Sequence, residues 1–227
     1  MKSSVITFPG SNCDRDIDVA LKKFGFNNKM VWHNDNELPK SDLVVLPGGF
    51  SYGDYLRCGS VASKSKIMNS VINFANSGGL VMGICNGFQI LVETGLVPGV
   101  LLRNKYLEFI CKNVFVKVDN KDNPYFKNLD KEVLELHIAH NEGNYFCTDD
   151  QLKEIEDNNQ IAIYYSNENG QTNQKDNPNG STKNIAGIFN KSKNVLGMMP
   201  HPERMIDKSL SGDDGSLFFK NLIKSIK

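Results

Sequence analysis

The chain has 227 residues, 40% of them hydrophobic, enough to bury a sizeable core and too few for a membrane-embedded protein. Lys plus Arg and Asp plus Glu both number 26, so the formal net charge is zero, with no basic excess to suggest nucleic acid and no acidic tail. The cysteines, 5 in number, are widely spaced and form no C-x-x-C pair, which reads as reduced thiols in a cytosol rather than a disulfide framework or a zinc site.

Met1-Lys2-Ser3-Ser4 runs straight into a strand-like segment at 5–8 with no secretory apolar region, so the expected location is cytoplasmic. Ile17, Ala20, Leu21 and Phe24 then fall at helical spacing, with Asn12 placed to cap the helix. Residues 29–33 are a second strand candidate. Leu43–Leu46 is a short apolar run that ends at Pro47-Gly48-Gly49, a buried strand entering a tight loop. Ile67, Met68, Val71, Ile72 and Ala75 form another helical stripe. The apolar stretch 80–102 is long enough to raise a membrane question. Asn86, Gln89, Glu93 and several glycines interrupt it, so a buried strand, a turn and a helix are expected instead.

In the second half, 114–118, 134–139, 161–165, Ile185–Phe189 and Val195–Met198 are strand-like, with few helices between them. A final helix is expected over 215–226, with Asp213 and Asp214 at its start and Lys224 and Lys227 near its end, as the macrodipole favours. The expected fold is a single α/β domain over 1–227: a three-layer, mostly parallel sheet flanked by helices, extended by antiparallel strands. The segment 167–184 is almost wholly polar. It reads as a surface loop, or, because loops this long usually serve a site, as a lid or a partner-facing element.

Gly83-Ile84-Cys85-Asn86-Gly87 has the form G-x-C-x-G, with an apolar strand before it and a helix after it. This is the layout of a nucleophile elbow with cysteine at its apex. A helix N-terminus favours thiolate over thiol, and its unpaired backbone N–H groups, that of Asn86 first, can hold an oxyanion. Among the remaining cysteines, Cys13 and Cys111 read as inert, Cys147 has no evident partner, and Cys58 lies in a glycine-rich loop that could approach the site. A catalytic cysteine needs a base. Of the histidines, 4 in number, His33, His137 and His140 read as structural. His201 lies between Pro200 and Pro202, which fix the backbone on either side, and Glu203 is placed to orient its ring. The expected triad is therefore Cys85, His201 and Glu203.

These two motifs together resemble the triad (class I) glutamine amidotransferases. Longer motifs resemble the purine-pathway branch of that family: Phe8-Pro9-Gly10-Ser11-Asn12-Cys13-Asp14, the run from Pro47 to Arg57, Asn177-Pro178-Asn179-Gly180-Ser181, and Met199 to Arg204. The resemblance covers nearly the whole chain. It implies that Cys85 attacks the side-chain amide of glutamine and releases ammonia, with Gly48, Gly49, Phe50 and Asn86 around the oxyanion. It implies that Gln89, His140 and Glu142 contact the substrate. Asn141 departs from the family, which has glycine there, and a left-handed backbone is expected to be preserved through Asn.

The resemblance also implies that ammonia passes to a separate synthetase subunit, with a small accessory subunit, to convert formylglycinamide ribonucleotide to its amidine. The chain has no Gly-x-x-x-x-Gly-Lys-[Ser/Thr] loop, so ATP and Mg are expected on that partner, and no cofactor or metal on this chain. No nucleic acid or membrane is expected as a partner. Competing readings are an amidotransferase serving an anthranilate or guanylate synthetase, a cysteine hydrolase of peptides or γ-glutamyl compounds, and a non-catalytic binding module.

Overall fold

A computed structural model describes residues 1–209 and 212–226. In chain order it contains β1 (Lys2–Thr7), α1 (Asp14–Lys23), β2 (Asn27–Trp32), β3 (Leu43–Leu46), α2 (Ile67–Asn76), β4 (Leu80–Ile84), α3 (Asn86–Glu93), β5 (Val100–Leu102), β6 (Ile110–Val118) and β7 (Val133–His140). β8 (Asn144–Phe146), α4 (Asp149–Asp157), β9 (Ile161–Ser166), β10 (Ile185–Phe189), β11 (Val195–Met198) and α5 (Asp214–Ile226) follow. Lys227, assigned above to the end of the last helix, lies outside the described residues.

A 9-stranded sheet runs in the order β2-β1-β3-β4-β11-β10-β9-β6-β7. The strands from β2 to β11 are mutually parallel, and β10, β9, β6 and β7 extend the sheet antiparallel. The α/β class with an antiparallel extension is as the sequence indicated. One strand is placed differently. β11 was grouped with the extension, but it lies in the middle of the sheet, parallel to β4. All of its residues are buried, as in a strand covered on both faces.

The crossovers β1-α1-β2 and β3-α2-β4 run in opposite directions from the middle of the sheet. Right-handed crossovers in opposite directions put α1 and α2 on opposite faces. Phe24, just after α1, stacks on Phe219 of α5 at 5.5 Å, so α5 shares the face of α1. One expectation is corrected locally, and another is met. Cys13, not Asn12, is the residue at the head of α1, and it makes no side-chain cap hydrogen bond. The apolar stretch that includes 80–102 is a strand, a helix and a short strand, and among the described residues no helix is long and apolar enough to cross a membrane.

The register decides where the site lies. Leu46 of β3 stands opposite Gly83 of β4, and Ile84 of β4 stands opposite Met198 of β11. Three parallel strands therefore end at one level, and the loops that follow them meet at the carboxyl edge of the sheet, beside the point where strand order reverses. β7 runs in the same sense as β11, and a bridge between His137 and His201 brings its end to the same corner.

Candidate active site

Cys85 occupies the turn between β4 and α3 with φ 51° and ψ −107°, a backbone conformation that side chains rarely adopt. Two contacts force it. A Cβ at Gly83 would stand 2.6 Å from the Gly87 carbonyl oxygen, and a Cβ at Gly87 would collide with the Leu46 carbonyl of β3. Only glycines let α3 start this close to the sheet, which is the physical content of the G-x-C-x-G pattern. The Cys85 N–H is held by Met198 of β11 at 2.8 Å, and its carbonyl starts α3 by accepting from Gln89 N–H at 3.1 Å. Cys85 is 5% exposed.

His201 and Glu203 are both buried, and His201 Nδ1 lies 2.6 Å from Glu203 Oε1. A carboxylate only accepts here, so Nδ1 carries the proton. The backbone N–H of His201 bonds His137 O at 2.8 Å, which fixes the turn after β11 against β7. Burial works against a charged imidazole, but the Glu203 carboxylate, the Cys85 sulfur and the hydrogen bond to Glu203 outweigh it and push the His201 pKa up to about 10. A Cβ added at Gly48 would sit 2.7 Å from His201 Cε1 and 3.4 Å from Cys85 Cβ. Nucleophile, base and the loop after β3 thus meet around one point. The sequence-predicted triad residues are brought together.

The loop after β3 supplies one donor fewer than expected. Phe50 N–H is spent on Gly10 O at 2.9 Å, so it is not available to an oxyanion. Among the described residues neither Gly49 N–H nor Asn86 N–H has a partner. Gly49, at φ +125°, has no room for a Cβ, which would meet Asn12 Oδ1 at 2.6 Å. Asn86 does more than lend its amide. Its Oδ1 accepts from Ser51 N–H at 3.2 Å, and its Nδ2 donates to Gln89 Oε1 at 2.8 Å and to Asp54 Oδ1 at 3.2 Å.

A pocket of about 270 Å³ opens onto Cys85. Its walls include Gly49, Phe50, Gln89, His140 and Glu142, all assigned above, and Asp54, Cys58, Arg103 and Phe109. A larger groove of about 960 Å³ runs along β6 and part of the polar segment, but neither Cys85 nor His201 lines it. Gln89 Nε2 donates to Glu142 O at 2.7 Å and so ties α3 to the loop after β7. His140 Nδ1 lies 3.0 Å from Asn104 Oδ1. Asn104 Nδ2 donates to the carbonyls of Glu108 and His140, so its Oδ1 is the acceptor and His140 Nδ1 carries the proton. Burial, then the charge of His201, pulls the His140 pKa down to about 4, which leaves Nε2 as a bare acceptor.

Three features were not legible as site residues. Asn104 bonds both His140 and Gly143 N–H and holds the loop after β7. Asn179 and Ser181 are buried and both donate to Gly143 O, at 2.7 and 3.3 Å. The end of the polar segment is therefore a buried brace for the 140–143 loop rather than a surface loop. Cys13 reads as inert in the sequence, yet its Sγ and one atom each of His201 and Glu203 lie within 4.8 Å of one another. Burial and the Glu203 charge raise the Cys13 pKa to about 12, so it stays a thiol. Arg204 Nη2 donates to that sulfur at 3.1 Å, which sets a positive charge against any metal cation there. Asn141 does not have positive φ, so its replacement of glycine needs no left-handed backbone.

A strand-elbow-helix nucleophile beside a carboxylate-bound histidine, on a doubly wound sheet, is the architecture of a glutamine amidotransferase. Residues 1–212 match the family of CobB/CobQ-like glutamine amidotransferase domains, and the chain belongs to the glutamine amidotransferase family. It is 79% identical over 227 residues, covering 100% of both chains, to the phosphoribosylformylglycinamidine synthase subunit PurQ of Pelagibacter ubique. It is 52% identical over 217 residues to the subunit of the same name from Synechocystis, covering 95% of this chain and 97% of that one. A chain in the structure of PurLQS from Thermotoga maritima superposes with a TM-score of 0.87 at 41% identity, covering 100% of this chain and 99% of the other. A putative GMP synthase subunit from Thermoplasma acidophilum, at 18% identity and a TM-score of 0.65, shares the fold.

Proposed function

We propose that this chain is the glutaminase subunit of a phosphoribosylformylglycinamidine synthase. The observation that carries the reading is the buried corner at Gly48, where Cys85 and the Glu203-bound imidazole of His201 meet and from which Cys85 faces the pocket. Full-length identity of 79% to a subunit of that enzyme supports the choice among amidotransferases.

In the reaction, the Cys85 thiolate attacks the carboxamide carbon of glutamine. The N–H groups of Asn86 and Gly49 hold the resulting oxyanion. His201, protonated on both nitrogens, gives a proton to the leaving nitrogen, and ammonia departs to leave a γ-glutamyl thioester. His201 then takes a proton from water, the hydroxide attacks the thioester, and glutamate leaves as Cys85 is regenerated. Glu203 keeps Nδ1 protonated and the ring in place. Gln89, His140 and Glu142 form the substrate side of the pocket.

Ammonia is used by a synthetase subunit, which binds ATP and Mg and converts formylglycinamide ribonucleotide to formylglycinamidine ribonucleotide in the cytoplasm. A small accessory subunit completes the complex. On this reading the chain itself needs no cofactor or metal. The test is Cys85→Ser in the complex reconstituted with the synthetase. Glutamine-dependent synthesis should be lost and ammonia-dependent synthesis kept. Loss of both, or retention of both, would refute the assignment.

A further inference from the structure

The pocket on Cys85 is lined by several acceptors, with Arg103 as its one cationic side chain. Asp54 and Glu142 both line it, as does His140, whose Nε2 is bare and has no hydrogen-bond partner. Glu142 has a cation within reach, Arg103 Nε at 3.7 Å from its Oε1. Asp54 has none among the described residues, and nearby Arg57 is engaged by Glu93 at 2.7 Å.

Asp54 is also held in place. It has φ 54°, within a loop where Tyr52, Gly53 and Leu56 have positive φ as well. Its Oδ1 accepts from Nδ2 of Asn86, the residue next to the nucleophile, at 3.2 Å, and Cys58 lines the same pocket. Burial pushes the Asp54 pKa up, as for a carboxylate that lacks its cation. Glutamine differs from a simple primary amide in carrying an α-ammonium, which supplies one positive charge and three N–H donors.

We propose that Asp54, with Glu142 beside it, binds the α-ammonium of the substrate and makes the site select a free amino acid over other primary amides. This rests on the glutaminase reading above. The carboxylate and the nucleophile are coupled through Asn86, whose side chain reaches Asp54 and whose backbone N–H faces the oxyanion. The amino-acid head and the reacting amide are thereby registered to each other by one residue.

The test uses the complex with the synthetase and two amides, glutamine and 4-carbamoylbutanoate, which lacks only the α-ammonium. Asp54→Asn keeps the shape, still accepts from Asn86 Nδ2, and tolerates positive φ. It should raise KM for glutamine by about tenfold or more, the loss expected of a charge-assisted hydrogen bond. It should leave kcat/KM for 4-carbamoylbutanoate within about twofold, so the preference between the two collapses. An unchanged preference, or an equal fall for both, overturns the proposal. Ammonia release from neither substrate by the unsubstituted complex would instead remove the glutaminase reading. A second arm needs no variant: L-glutamate should protect Cys85 from iodoacetamide at a concentration about tenfold or more below that required of glutarate. Equal protection would contradict ammonium recognition.

Discussion

Cys85 holds a backbone conformation that costs on the order of 1–3 kcal/mol, and its neighbours maintain it. At the same scale, His201 is charged where burial alone would keep it neutral. Its pKa is pushed up to about 10, above the ordinary value of ~6.5, so the stability it contributes is fully present below pH ~6.5 and is lost as pH rises through about 10. Glu203→Gln removes the main positive influence. The unsubstituted protein should therefore lose stability more steeply than this variant between pH ~6.5 and about 10, measured by denaturant midpoint. Imidazole NMR gives a direct check: His201 should stay protonated through that interval in the parent and not in the variant. Parallel pH profiles would contradict the pairing.

The elements that carry the site were unevenly legible. Leu43–Leu46, Leu80–Ile84 and the helix after Cys85 are dense apolar runs bounded by glycine, and such runs announce themselves. α4 went unread although Thr148-Asp149-Asp150-Gln151 spells its capping box, because only Leu152 and Ile155 of that helix are buried and its apolar stripe is thin. β5 and β8 are 3 residues each and, among the described residues, pair only with one another, too short for any periodicity. The polar brace was misread for a different reason. Composition registers Asn179 and Ser181 as hydrophilic, whereas their hydrogen bonds to Gly143 O let them be buried.

Two expectations belong to this scale. Gly87→Ala drives a methyl group into the Leu46 carbonyl. It should cost at least about 1–3 kcal/mol in denaturant unfolding and lower kcat, because α3 must shift and carry Cys85 with it. Asn179→Ala strips a donor from the buried Gly143 carbonyl and should cost about 1–3 kcal/mol. It should raise KM for glutamine more than it lowers kcat, since it loosens the 140–143 loop and leaves the triad intact. An unchanged KM would show that the brace does not reach the substrate.

For the molecule as a whole, strand order is the decisive fact. Periodicity identified β11 as a strand but could not say which strand it pairs with, since its partner β4 is more than a hundred residues earlier and long-range pairing leaves no local trace. That pairing sets the end of β11 beside the end of β4, and so His201 beside Cys85. The proximity inferred from motifs has this parallel register as its structural cause. The most direct measurement is mass-spectrometric mapping of the complex after reaction with a glutamine-analogue electrophile. Modification should fall on Cys85 alone and be blocked by glutamine. Modification centred on Cys13 or Cys58, or labelling that glutamine does not slow, would contradict the assignment of Cys85 as the nucleophile.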